Sequence, residues 1–221
     1  MYTTNKISHE ISDEQTFQIL NLVAQDANLI SVNVFQRQSP IFEYLMMREI
    51  MKTRTYLVRL GDFGARATHL LTTEYNGIIV GYILYHRSLT SAKDIAIIST
   101  IVDRRYRKQG ILKNMMNILK GENDSISLTC FANRVPVYEK LGFVVFMQQE
   151  TQICMYYGYT DDGDIISVDD EYIDQIDVVI NARKKFQDDN PGTWQTLWKQ
   201  QSQDNSAEIR NAELFLHSRT N

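Results

Sequence analysis

Apolar residues follow two periods along this chain, and each period predicts one kind of secondary structure. Residues 95–102 read Ile-Ala-Ile-Ile-Ser-Thr-Ile-Val, a β-branched and almost wholly apolar run of strand length. Such a run is typical of a strand that is buried on both faces. Residues 111–120 instead place apolar side chains at helical spacing, and Gly121 follows them as a common helix C-cap. The pattern predicts a buried strand that leads through a turn into an amphipathic helix.

The strongest hairpin signal is the dipeptide Asn76-Gly77, which lies between two β-prone runs at 69–75 and 78–86. Asn-Gly favours the tight turn of a two-residue hairpin. The second run is apolar on both faces, so we expect an internal strand. Further strands are predicted at 125–131, 143–147 and 152–157, with a weaker one at 55–60 that ends in a loop at 61–66.

Helix start signals precede several of these strands. Ser12-Asp13-Glu14-Gln15 is a capping-box pattern, and Ser39-Pro40 places proline where a first helical residue tolerates it. A short helix is also predicted to end at Leu141, with Gly142 as its cap. Strands and helices in this order predict an α+β (α/β layered) fold, in which a mixed sheet has helices on both faces.

Residues 159–221 predict a helical extension after the last strand. Eight carboxylates between Asp161 and Asp177 have no Lys or Arg among them. They either attract a cationic ligand or, as is commoner, form a solvated face that caps a helix. We expect one helix from Ser167 to beyond Phe186, a short helix after Thr193 and a last helix after Ser206. The predicted domains are 1–158 and 159–221, the second packed on the first or on a second subunit.

Composition narrows the possible functions. The chain has 221 residues, 43% of them hydrophobic and 23% charged, which is ordinary for a globular protein with a real core. Its net charge of −4 argues against nucleic acid as a partner. No apolar run approaches the roughly 20 residues that cross a bilayer, and the polar first residues lack the core of a signal peptide. We expect a cytoplasmic protein without a membrane partner.

Metal and disulfide chemistry find little support in the sequence. Cys130 and Cys154 lie in strand-like runs without metal-ligand spacing, and the four histidines are scattered. Buried free thiols in a reducing compartment are the default interpretation of such cysteines. We therefore expect no metal site.

The turn between the buried strand and its helix is rich in cations. Arg104, Arg105, Arg107 and Lys108 precede Gly110. A helix N-terminus exposes unpaired N–H groups and the positive end of a dipole, and nearby cations and a glycine make it a cradle for phosphates. A Walker loop needs a second glycine and a Gly-Lys-Ser/Thr ending, and this turn has neither. The dinucleotide fingerprint needs three glycines, and only Gly110 is present. The remaining alternative is a solvated basic turn.

Two motifs carry a resemblance to a known family. The turn fits Arg-x-x-Gly-x-Gly/Ala through Arg107, Gln109 and Gly110, with Leu112 where glycine or alanine is usual. A second run, from Asn133 to Phe143, fits a Tyr-Glu-Lys-x-Gly-Phe pattern. Its matching residues are Tyr138, Glu139, Lys140, Gly142 and Phe143. Together the motifs resemble the GNAT superfamily of N-acetyltransferases over about residues 7–158.

The resemblance implies a GNAT-like, mostly antiparallel central sheet, with acetyl-CoA as co-substrate. It further implies that two parallel strands splay apart beside the turn, which leaves backbone groups free for the pantetheine arm. In this family a tyrosine at the position of Tyr138 is the usual general acid that protonates the departing thiolate. The alternative for Tyr138 is a core aromatic residue with a satisfied hydroxyl. The residues implied for coenzyme binding are Ile101, Val102, Arg104, Arg105, Tyr106, Arg107, Lys108, Gln109, Gly110, Ile111, Leu112, Asn133 and Tyr138.

A general base is not evident in the sequence. Glu74, His86 and Asp94 are candidates, although each is more often a surface or edge residue, and an ordered water is the other option. The favoured function is acetyl transfer from acetyl-CoA to an amine acceptor, either a small molecule or a protein or peptide amine. The alternative is a non-catalytic module of the same fold that binds acyl-CoA or a partner. Modification of nucleic-acid bases is disfavoured by the acidic balance, and a homodimer is left open.

Overall fold

The structure is a computed structural model that describes residues 1–7, 9–62, 67–89, 91–159 and 168–220. The strands are β1 (Tyr2–Ile7), β2 (Thr68–Tyr75), β3 (Ile78–Arg87), β4 (Asp94–Val102), β5 (Ser125–Cys130), β6 (Val144–Gln149) and β7 (Gln152–Tyr157). The helices are α1 (Asp13–Ile30), α2 (Phe42–Leu57), α3 (Ile111–Lys120), α4 (Val135–Glu139), α5 (Asp170–Asp174), α6 (Asp177–Asp189) and α7 (Trp194–Thr220).

The strands form a seven-stranded sheet in the order β1-β2-β3-β4-β5-β7-β6. Neighbouring strands are antiparallel except for β4 and β5, which are parallel. The predicted fold class is therefore confirmed: this is a mixed, mostly antiparallel sheet flanked by helices, in an α+β fold. None of the helices in the described ranges is long and apolar enough to cross a membrane.

The Asn-Gly hairpin is confirmed as the link between β2 and β3. Asn76 and Gly77 both adopt positive φ, 52° and 76°, and Tyr75 pairs with Ile78 across the turn. Positive φ at both central residues is what such a turn requires, and Asn and Gly accept it most readily. The hairpin places β3 inside the sheet, with Tyr82, Ile83 and Leu84 fully buried, as expected for a strand that is apolar on both faces.

Two hydrophobic cores lie on opposite faces of the sheet. On one face α1, α2, α5 and α6 pack on Leu70, Tyr82 and Leu84. On the other face α3 and α4 pack on Ile83 and Ile126. Helix α3 sends four side chains into this second core, and each fully buried aliphatic side chain stabilises the fold by about 1.5–3 kcal/mol. These two layers hold β4 and β5, the parallel pair, at the centre of the molecule.

Two elements differ from the prediction, each for a physical reason. The strand at 55–60 does not form, because α2 continues to Leu57 and only Leu60 bridges to β2. The strand β1 was missed because Tyr2–Ile7 is polar and lies at the sheet edge, where only one neighbour pairs with it. The capping box at Ser12 is confirmed. Of the predicted loop at 61–66, residues 63–66 lie outside the described residues.

The helices of the extension also differ from the prediction. The two helices expected after Thr193 are one, α7, since its segment contains no glycine or proline. The hydroxyl of Ser206 donates to the carbonyl of Ser202 at 2.9 Å, so this residue bonds within the helix and does not cap one. The single helix expected before them is divided into α5 and α6 at Ile176, which is extended, and Ser167 lies outside the described residues.

The extension packs on the rest of the chain through polar and apolar contacts. Asp174 accepts from Arg48 of α2 at 2.7 Å, and Asp170 accepts from Lys52 at 3.1 Å. The indole of Trp198 lies 5.6 Å from the ring of Tyr44, measured between centroids. Farther along α7, Ala212 is fully buried in the second core. The extension therefore contributes to both cores of the fold.

Candidate functional site

The central feature of the candidate site is a gap between the two parallel strands. β4 and β5 are paired at Asp94↔Ser125, Ile95↔Ile126 and Ala96↔Ser127, and within these two strands no residue beyond Ala96 continues the pairing. A β-bulge in β4 moves the register against β3 between Ser99 and Ile97. Bulges bend a strand and end its pairing locally. The strands therefore diverge after Ala96 and leave backbone groups of both strands facing each other across an open space.

A cavity of about 850 Å³ fills this gap and extends beyond it. Both Thr129 and Cys130 of β5 line it, although neighbouring residues of a strand point to opposite faces of a sheet. The cavity therefore passes through the sheet. On one face of the sheet the cavity is lined by α3, and on the other face by α1 and α2, so a ligand in the gap contacts both layers.

The basic turn has the backbone that its sequence predicts. Lys108 and Gly110 adopt left-handed conformations with φ of 64° and 80°, and Gly110 is the N-cap of α3. A β-carbon added to Gly110 would meet no atom within 4 Å, so the space beside the turn is open. The first N–H groups of α3 have no partner within the helix. The turn thus leaves open space beside the N-terminal end of α3.

The arginines of the turn are engaged by carboxylates of the protein. Asp26 of α1 is 2% exposed and pairs with both Arg104, at 2.7 Å, and Arg107. The Nε of Arg107 also donates to the carbonyl of Val102 at 2.9 Å, which ties the turn to the end of β4. Asp103 receives the guanidinium of Arg105 at 2.7 Å, and this hydrogen bond holds the pKa of Asp103 below its usual range. Lys108 forms no ion pair with another described residue.

Asp26 connects the basic turn to α1, and its replacement tests that connection. Asp26→Asn keeps the shape of the side chain but leaves Arg104 and Arg107 without their carboxylate. Breaking a buried ion pair costs several kcal/mol, but both guanidinium groups are more than one-third exposed, so we expect a loss of about 1–3 kcal/mol in unfolding free energy. Urea denaturation measures it. Asp103→Asn frees only Arg105, which is mostly exposed, so its loss of unfolding free energy should be smaller. Equal losses in the two variants would contradict the connecting role of Asp26.

The structure brings most of the predicted coenzyme residues to the cavity wall. Those that line it are Ile101, Val102, Tyr106, Arg107, Lys108, Gly110, Ile111, Leu112 and Tyr138. Arg104, Arg105, Gln109 and Asn133 do not line it. Gln109 instead receives the hydroxyl of Tyr2, and Asn133 is exposed on a 3-10 turn before α4.

Tyr138 lies on α4, beside the gap. Its ring meets Phe143 edge to face at 5.9 Å, and its backbone carbonyl receives the N–H of Phe143 at 3.1 Å. These contacts fix the short helix against the second core, so the phenol is held at the cavity wall. Burial raises the pKa of Tyr138 well above its usual value, and the group is therefore a phenol, and a proton donor, at neutral pH.

The candidate bases are not equivalent in the structure. Glu74 does not line the cavity, and neither does Asp94, whose carboxylate accepts the hydroxyl of Tyr159 at 2.7 Å. His86 lines it, and its Nε2 lies 3.2 Å from the hydroxyl of Thr68. A carboxylate that the sequence did not single out, Glu49 of α2, also lines the cavity. Nothing in the spacing around Glu49 distinguishes it from a surface residue of an amphipathic helix.

The two cysteines are free and both line the cavity. Cys130 is buried, and burial raises the pKa of its thiol to about 12. Cys154 is only half-buried, and burial raises its pKa as well. Both side chains are therefore neutral thiols at neutral pH. Among the described residues no group of three potential metal ligands is found.

Comparison with known proteins identifies the domain. A sequence profile described as "Acetyltransferase (GNAT) domain" matches residues 46–153. No curated protein matches the chain at a significant level. The PaiA N-acetyltransferase from Thermoplasma acidophilum, solved in complex with coenzyme A, is similar in structure. Its TM-score is 0.54 at 14% identity, over 71% of this chain and 99% of that one.

Two further solved structures are similar over the same part of the fold. The protein PH1933 from Pyrococcus horikoshii OT3 has a TM-score of 0.53 at 14% identity, over 72% of this chain and 99% of that one. An acyl-CoA N-acyltransferase from Pseudomonas aeruginosa has a TM-score of 0.50 at 14% identity, over 71% of this chain and 99% of that one. These similarities support the fold, and the profile match supports the family. The chain therefore carries a domain of the GNAT acetyltransferase family, followed by a helical extension.

Proposed function

We propose that this protein transfers an acyl group, in the first instance acetyl, from acyl-CoA to an amine acceptor by direct attack of the amine on the thioester. The observation that carries the proposal is the gap between β4 and β5, which has the basic turn and the N-terminal end of α3 beside it and the half-buried side chain of Tyr138 at its wall. Acyl transfer is the chemistry of the family whose profile matches residues 46–153. The similar Thermoplasma acidophilum enzyme was solved with coenzyme A.

The residues of this chain fit such a donor in three ways. The turn from Lys108 to Leu112 offers backbone N–H groups and the positive end of α3 to a diphosphate. The unpaired edge of β4 beyond Ala96 offers peptide groups to an amide-bearing arm. The cavity, at about 850 Å³, is in the usual range for a ligand pocket.

Tyr138 would serve as the general acid of the reaction. Its phenol is protonated at neutral pH and lies at the cavity wall, so it is suited to protonate a departing thiolate. The walls of the gap would hold the acceptor beside the thioester. Positioning alone contributes much of the rate in reactions of this type.

Gly110→Ala tests the donor site. The added methyl group meets no protein atom within 4 Å, so the variant should fold with a loss of about 1–2 kcal/mol from its left-handed backbone. The same methyl group stands beside the proposed diphosphate, so we expect the Kd for acetyl-CoA to rise at least about tenfold. Isothermal titration calorimetry measures it. Gly77→Ala is the matched control, because Gly77 has a similar positive φ and open space around it but does not line the cavity.

A thiol-release assay over small amines, peptides and polyamines tests turnover. Release of free CoA thiol that depends on an amine supports the proposal. Binding of acetyl-CoA without turnover by any amine would favour the non-catalytic alternative. The absence of any heat with acetyl-CoA would contradict both functions.

A further inference from the structure

Glu49 is a carboxylate of α2 that lines the cavity on the face of the sheet opposite α3. It lies on the inner side of α2, where it lines the cavity together with Lys52 and Tyr56 of the same helix. Ser31, at the end of α1, lies close enough to this carboxylate to favour its ionised form. This end of the cavity lies on the face of the sheet opposite α3, so it is the end left for an acceptor if the donor lies on the turn.

The cations near Glu49 are held by other carboxylates. Arg48 donates to Asp174 at 2.7 Å, and Lys52 donates to Asp170 at 3.1 Å. Burial alone would lower the pKa of Lys52, but Asp170 and Glu49 outweigh it and raise that pKa. Glu49 itself forms no ion pair with any other residue in the described ranges. This cluster therefore carries three carboxylates against two cations, and Glu49 is the carboxylate that faces the cavity.

The titratable and charged groups around Glu49 come from several elements. Arg48, Lys52 and Asp170 act on its pKa, and Glu49 in turn acts on Tyr82 of β3. Tyr56 of α2, Asp26 of α1 and His86 of β3 line the same cavity. Burial is the largest influence on Glu49 and raises its pKa, although Ser31, Lys52 and Arg48 act in the opposite direction. A carboxylate of this kind binds protons more strongly than a surface glutamate, which suits a group that must accept one near neutral pH.

We propose that Glu49 binds the ammonium group of the acceptor and takes the proton that the amine loses before it attacks. This role requires an acceptor whose reacting nitrogen is a primary ammonium at neutral pH. The inference rests on the proposed function, because it assigns a role in acyl transfer at the same cavity. His86 lines the same region, but its contact with Thr68 and its edge-to-face packing on Tyr56 at 5.3 Å fix it as part of the wall.

The step balances without a further reactant. The acceptor begins as R–NH3⁺ and ends as an amide, so it gives up two protons as the carbon–nitrogen bond forms and the carbon–sulfur bond breaks. Glu49 takes the first proton and later returns it to solvent. Tyr138 gives its proton to the leaving thiolate, and the second proton from nitrogen restores the phenol.

The test is the pH dependence of kcat/KM for the best amine in Glu49→Gln, which preserves the size and shape of the side chain. We expect kcat/KM at pH 7 to fall by about 10²–10⁴-fold and the acidic limb of the wild-type profile to disappear. The Kd for acetyl-CoA should change by less than about threefold, since Glu49 does not lie on the turn. Glu43→Gln is the control, because Glu43 lies on the same helix, is exposed, and pairs with Lys185 outside the cavity.

Stability provides a second measurement that does not depend on activity. A glutamate whose pKa is raised by folding favours the folded state at low pH, and this contribution is lost as pH rises through the folded-state pKa. Glu49→Gln should therefore have a higher Tm than the wild type at pH 8, and the difference should shrink toward pH 5. A structural role, in which the ionised carboxylate holds α1 to α2, predicts a lower Tm instead.

Several outcomes would overturn the inference. A Glu49→Gln enzyme with a normal rate and profile would do so while leaving the transferase function intact. The inference would also be overturned if the acidic limb of the kcat/KM profile shifts in His86→Gln but not in Glu49→Gln. A Glu49→Gln protein that is less stable than the wild type at pH 8 would overturn it as well. A wild-type protein that binds acetyl-CoA but turns over no amine would instead contradict the proposed function, and this inference with it.

Discussion

Replacing Tyr138 by phenylalanine is expected to lower kcat by about 10²–10⁴-fold and to leave the Kd for acetyl-CoA within a few-fold of the wild type. The substitution removes one hydroxyl group, while the ring keeps its edge-to-face contact with Phe143. Without the phenol the thiolate must leave unprotonated, and loss of a general acid typically costs a factor of this size. Stopped or continuous thiol-release kinetics give kcat, and calorimetry gives the affinity.

The control for this change is Tyr157→Phe. Tyr157 packs on the same Phe143, at 6.0 Å between ring centroids, but it does not line the cavity. Its loss of a hydroxyl should leave kcat unchanged. Because burial holds the pKa of Tyr138 far above neutral, the wild-type rate should not fall between pH 7 and 9 through loss of this proton. A Tyr138→Phe enzyme with a normal kcat would exclude the phenol as the acid.

Gly158→Ala is expected to destabilise the fold by about 3–5 kcal/mol, the largest stability effect that we predict for a single methyl group. Gly158 follows β7 with a φ of 87°, and a β-carbon there would lie 2.0 Å from the carbonyl oxygen of Asp124. The obstructing atom is backbone at the start of β5, so relief requires the strand to move. Left-handed strain and overpacking each cost about 1–3 kcal/mol. Chemical denaturation monitored by circular dichroism measures the sum.

Gly192→Ala separates the two causes. Gly192 has a φ of 74°, but its added methyl group would meet no atom within 4 Å. The free energy of unfolding of Gly192→Ala should therefore fall only by the cost of the left-handed backbone conformation, about 1–2 kcal/mol. If both variants were destabilised equally, the contact with Asp124 would not be the cause. The junction matters for function because it lies at the paired end of β4 and β5, where the gap closes.

Local chemistry explains which parts of the fold were predictable from sequence. Asn76-Gly77 demands one turn, residues 95–102 are apolar on both faces, and the capping box at Ser12 marks a helix start. The start of α3 was predictable as well, because Gly110 precedes a run with helical apolar spacing. Each of these signals lies within a few residues and depends little on the rest of the molecule.

The features that the sequence did not predict depend on contacts between residues that are far apart along the chain. Asp26 and Arg107 are 81 positions apart, and no local pattern indicates that one carboxylate engages two arginines of the turn. The importance of Glu49 arises from which face of α2 meets the gap and from the pairing of Lys52 with Asp170, 118 positions away. The edge strand β1 has a polar sequence, and only its pairing with β2 makes it a strand.

Helix α7 also has a consequence for how the cavity could change shape. Asn205 receives the N–H of Val34 in the loop between α1 and α2 at 2.9 Å, and Arg219 pairs with Glu139, the neighbour of Tyr138. These attachments are 14 residues apart on one helix, a span of about 21 Å at 1.5 Å per residue. The helix thus acts as a spacer of constant length between the loop that follows α1, whose Val32 lines the cavity, and the helix that carries the phenol. A one-residue insertion between Asn205 and Arg219 would turn the distal attachment by about 100° around the axis and uncouple them.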